Sequence, residues 1–123
     1  MSTERDTVAE AARRHDARLA RTRRALERVG IERDRQQLRW GEQRHALPLW
    51  AAIAVEELGE AAQAGLALRR MPLDLPVMRL RHLTAVREEW VQLAAVAIAV
   101  IEQLDQARDG GDPLPREHWA SDV

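Results

Sequence analysis

Between Pro48 and Arg108 the chain is interrupted once, at the proline-flanked run Met71–Pro76, and on both sides apolar residues recur at spacings of three and four. That period lines them up along one face of an α-helix, whereas a strand needs alternation at two. A connector this short favours two helices packed antiparallel. Strong helix formers (Ala, Leu, Glu, Gln, Arg) dominate the composition, so the expected fold class is all-α.

Stop signals divide the rest. Residues 3 to about 29 read as a first helix ended by Gly30, and Ile31–Trp40 as a short second helix running into Gly41. Pro48 suits the first turn of a helix reaching Arg70, and a longer one covers Val77–Arg108 before Gly110 and Gly111. Residues 1–30 are thus an N-terminal helical extension, 31–108 the main domain and 109–123 an irregular tail. A chain of 123 residues holds one domain, and one hairpin beside an Arg-rich helix buries little. The expected core is therefore like a four-helix bundle and completed by oligomerisation, as a homodimer or homotetramer.

Formal net charge is -1, which does not mark a nucleic-acid binder. Arg14, Arg21, Arg28 and Arg35 recur every seven residues, but Asp16, Glu27 and Glu32 lie among them, and the run reads as a solvated helix face. Without cysteine there is no disulfide, thiolate nucleophile or Cys-ligated zinc. The charged N-terminus lacks an apolar signal core, and Trp90–Ile101 is too short to span a bilayer, so a cytoplasmic protein without membrane attachment is expected.

The carboxylates carry the chemistry. Trp50, Ala54, Glu57, Ala61, Ala64 and Leu68 form one stripe, with Glu57 inside it, Glu60 on the next turn and Glu56 alongside. Val86, Glu89, Leu93, Val96 and Val100 repeat the pattern, and Gln92 is the polar residue within the apolar run that follows Trp90. Carboxylates on inward faces of two packed helices repel one another and lose hydration, so something must balance them. Arg69, Arg70 and Arg87 lie at helix ends or on neighbouring faces. Carboxylate and amide oxygens are hard donors suited to Mg2+, or to Mn2+.

The run Trp50–Ala64, with its core Glu56-Glu57-Leu58-Gly59-Glu60, resembles the EExxE signature helix of the MazG-like all-α nucleoside triphosphate pyrophosphohydrolases. Glu89-Trp90-Val91-Gln92 stands where that family has ExxD, with 28 residues between Glu60 and Glu89, and residues 32–36 and 39–43 resemble the segment that often precedes the signature. The likeness covers about residues 31–108. Its one departure is Gln92 in place of the motif's Asp, which offers a carbonyl oxygen and no charge.

The resemblance implies hydrolysis of a nucleoside triphosphate or its deoxy form to the monophosphate and pyrophosphate, as nucleotide-pool house-cleaning. It assigns Glu57, Glu60, Glu89 and Gln92 to a magnesium site, with manganese a possible substitute. Glu56 and Glu57 are the expected catalytic residues, Glu56 orienting or deprotonating the attacking water. Trp40 is a candidate for stacking on a base, and Arg69 and Arg87 for phosphate contacts. The competing readings are a catalytically weakened nucleotide-binding module and a helical protein-interaction module.

Overall fold

The computed structural model describes residues 3–116, and the rest of the expected tail, 117–123, lies outside them. Three helices make up the fold: α1 (Thr3–Trp40), α2 (Leu47–Arg69) and α3 (Pro76–Arg108). The all-α class and the helical hairpin expected of residues 48–108 are both present. Among the described residues no helix is long and apolar enough to cross a membrane.

Each boundary has a local cause. Pro48 and Pro76 occupy first-turn positions of α2 and α3, where a missing backbone N–H costs nothing. Gly41 ends α1 with φ 72°, donating its N–H to the Gln37 carbonyl at 2.9 Å. Gly110 has φ 80°, and Gly111 N–H reaches the Gln106 carbonyl at 2.9 Å, so α3 closes in a Schellman turn.

Gly30 does not end a helix. It lies inside α1, and Gly41 and Gly110 are the glycines with positive φ among the described residues. Glycine in a helix interior costs only about 0.5–1 kcal/mol relative to alanine. Ion pairs on either side of it, Arg28 with Glu88 and Arg33 with Glu102 at 2.7 Å, fasten α1 to α3 and offset part of that cost. The extension and the first part of the main domain therefore share one continuous helix.

α3 is the central element, with α2 packed on one side and α1 on another. Trp50, Ala61, Val91, Ala95 and Val96 are the buried apolar residues, and the small Ala61 and Ala95 let the hairpin helices approach closely. The inward stripe on α2 is as expected, since Trp50, Ala54, Glu57, Ala61, Ala64 and Leu68 are all buried or half-buried. The apolar run of α3 from Trp90 to Ile101 is not covered all round. Trp90, Ala97 and Ile101 are exposed, because two neighbouring helices cover only two sides of a third. Residues 3–27 of α1 are exposed throughout and project from the body over about 37 Å.

Gln103, 3% exposed, locks the loop between α1 and α2. Its side-chain oxygen accepts from His45 N–H at 3.1 Å and from Trp50 Nε1 at 3.0 Å, and its Nε2 donates to the His45 carbonyl at 2.8 Å. The His45 ring meets Trp50 edge-on at 4.7 Å. Trp50 is thus a fixed wall of the interior.

Candidate functional site

α1 and α2 both lean on α3 without packing on each other, and the space left between them is a cavity of about 250 Å³. Glu57, Ile53 and Trp50 line it from α2, Val96 and Ala99 from α3, and Arg33, Gln36 and Trp40 are among its α1 walls.

Glu57 leads from this cavity into a group of carboxylates. One oxygen each from Glu57, Glu60 and Glu89 lie within 4.8 Å of one another. The spacing of three on α2 and the inward position of Glu89 on α3 produce that convergence. Glu57 Oε2 and Glu89 Oε2 are buried without a hydrogen-bond partner. Burial, then Glu60, Glu89, Glu56 and Glu32 in order of effect, raise the Glu57 carboxyl above its ordinary value. Burial likewise raises Glu89, followed by the charge of Glu60 and a hydrogen bond shared with it. Buried anionic oxygens without donors, held by hard ligands on two helices, fit a small divalent cation such as Mg2+ or Mn2+.

The other expected residues are placed as follows. Glu56 is exposed beside Glu57 and adds to its rise. Glu88, the carboxylate next to Glu89 in sequence, is not part of the group and pairs with Arg28. Gln92 is half-buried, and its backbone carbonyl accepts from Gln36 Nε2 at 3.5 Å. Trp40, half-exposed, stands at the cavity wall with the Arg39 guanidinium 5.0 Å from its ring centre. Arg69 lies in the last turn of α2, and Arg87 is exposed with Glu88 3.6 Å away. Neither lines the cavity.

Three residues of the site were not singled out by the sequence. Arg33 lines the cavity, its Nε is buried without a partner, and its terminal nitrogens hold Gln37 at 3.0 Å and Glu102 at 2.7 Å. Glu32, on α1, is 2% exposed, and its Oε1 has no hydrogen bond. Gln103 positions His45 and Trp50 from behind. The signal available for Glu32 is the recurrence of Arg28, Glu32 and Gln36 at intervals of four, a polar face of α1 set against α3.

Comparison with protein-family models, with curated proteins and with solved structures finds no match to this chain.

Proposed function

We propose that the chain is a divalent-metal-dependent nucleoside triphosphate pyrophosphohydrolase of the MazG-like type, converting NTP or dNTP and water to the monophosphate and pyrophosphate in the cytoplasm. The observation that carries this reading is the convergence of Glu57, Glu60 and Glu89 within 4.8 Å, with two buried oxygens lacking donors, at the edge of a cavity.

Phosphoryl transfer depends on charge neutralisation and an oriented nucleophile more than on covalent help from protein groups. Glu57, Glu60 and Glu89, with Gln92 as a neutral donor, would hold magnesium or manganese, which when bound would supply charge neutralisation for phosphate oxygens. Glu56 is free of the close group and open to solvent, which suits it to orient an attacking water. Arg33 presents the cationic group of the cavity wall to a polyphosphate. Trp40 offers an aromatic face for a base, and Gln36 and Gln37 supply amide groups around it. Arg69 and Arg87 serve the surface better than the cavity. A second copy covers the exposed apolar flank of α3, so the working form is an oligomer.

The test is pyrophosphate release from a panel of ribo- and deoxyribonucleoside triphosphates with Mg2+ or Mn2+. Turnover is expected with at least one substrate, and Glu57→Ala or Glu60→Ala should lower it by about 100-fold or more. A clean preparation inactive across the panel with both metals sinks the enzyme reading. Gln92 favours a second reading, a nucleotide-binding module with weakened metal affinity. A large gain of turnover in Gln92→Asp would select it.

A further inference from the structure

We propose that Glu32 of α1 is a fourth carboxylate of the cation site and supplies the charge that Gln92 lacks. The inference rests on the cation-binding reading above and adds a ligand from outside both acidic segments. Three helices, rather than the two of the hairpin, then enclose the ion.

The placement follows from neighbours one turn away in each direction. Arg28, Glu32 and Gln36 are four residues apart and share one face of α1. Arg28 pairs with Glu88, and Gln36 Nε2 reaches the Gln92 carbonyl at 3.5 Å. Glu32 lies between them on the same buried face of α1, the face set against α3. Its charge also contributes, as the smallest of several causes, to the raised Glu57 carboxyl.

The burial of Glu32 needs a reason. At 2% exposure, an unpaired carboxylate costs several kcal/mol. Arg35 Nε lies 3.2 Å from Oε1, yet that oxygen has no hydrogen bond, and the Arg35 side chain is itself 62% exposed. A solvent-screened guanidinium compensates a buried anion poorly. Glutamine of the same size would remove the penalty if Glu32 only filled space. A divalent ion between Glu32 and the carboxylates of α2 and α3 supplies the missing partner, and the fourth negative charge offsets the neutral amide at 92.

Direct titration of Mn2+ into the full chain, read by electron paramagnetic resonance of the free ion, tests this without reference to turnover. Wild type is expected to bind, Glu57→Gln to lose binding, and Glu32→Gln to bind about 10- to 100-fold more weakly. Gln92→Asp in the Glu32→Gln background should recover most of that loss by returning the charge from α3. If Glu32→Gln binds within about twofold of wild type while Glu57→Gln does not, Glu32 is no ligand and only this inference falls. A wild type that binds no Mn2+ overturns the cation-site reading together with it. Should Glu32→Gln lose its helical circular dichroism, Arg35→Ala decides the matter. Freeing Glu32 from its neighbour raises Mn2+ affinity severalfold if it is a ligand, and leaves it unchanged if it is not.

Discussion

Glu57 and Glu89 are held above the ordinary carboxylate value of 4.5, first by burial and then by Glu60. Between that value and the raised one, the folded chain binds more protons than the unfolded chain. Stability therefore falls as pH rises through the window, and the loss persists above it. Metal-free protein should gain thermal stability as pH is lowered from about 7 towards 5, and Glu57→Gln should flatten that slope. At neutral pH the same substitution is expected to stabilise the metal-free chain by about 0.5–2 kcal/mol, while removing the stabilisation that Mg2+ gives wild type. Melting curves at several pH values, with and without Mg2+, check both signs; a Glu57→Gln protein less stable than wild type without metal refutes the repulsion argument. Gln103 carries the opposite kind of polar burial, fully satisfied. Gln103→Leu leaves the His45 backbone and the Trp50 indole without partners, at about 1–3 kcal/mol for each stranded group, which urea denaturation would register. The three clustered glutamates were legible because each sits in or beside an apolar stripe, where a charge is anomalous. Glu32 was not, because its neighbours on α1 are Arg28, Arg35 and Gln36, and a charge among charges reads as solvent-facing until α3 is seen against it.

At the scale of elements, two glycines with similar sequence surroundings end differently. Gly41 takes φ 72° and terminates α1, while Gly30 continues it with nothing within 4 Å of an added Cβ. Gly30→Ala should therefore stabilise the protein by about 0.5–1 kcal/mol. Gly41→Ala should destabilise it by about 1 kcal/mol or more, since alanine is strained at that φ. Paired melting curves of the two variants test the contrast, and a destabilised Gly30→Ala would mean that α1 bends there after all. The same contrast explains what the residues reveal about the fold. α2 and α3 could be placed to within a residue or so because proline marks their starts and an apolar stripe runs through each. The first helix could not, because a lone glycine permits both outcomes, and the contacts that fasten the continuous helix on either side of it are ion pairs to Glu88 and Glu102, some 60 to 70 residues further along. Cleaving or deleting residues 3–26 removes no buried side chain, and the hairpin and cavity should survive it.

At the scale of the whole molecule, too little is buried. Leu80, Leu83, Trp90, Ala97, Ile101 and Leu104 follow one another along α3 at multiples of the three-four spacing, and all are exposed. A stripe of this kind, with Trp90 and Ile101 each more than half exposed, is unfavourable in water and characteristic of a surface meant to be covered. It is a straight helical seam, so a second α3 related by a two-fold axis can meet it with the same residues on both sides. A stable contact of that sort removes roughly 800 Å² from each partner. Sedimentation of wild type should therefore give a mass at least double the 14.0 kDa of one chain, and thermal stability should increase with protein concentration. Introducing a charge at two points of the seam, Leu83→Glu with Ile101→Glu, should shift the protein to monomer and lower its stability, while Val55→Glu on α2 should leave the assembly intact. A wild-type chain that sediments as a monomer at micromolar concentration removes the seam as an interface. A chain that still associates with both glutamates in place locates the contact elsewhere, with the exposed Val55 and Leu58 of α2 as the next surface to charge.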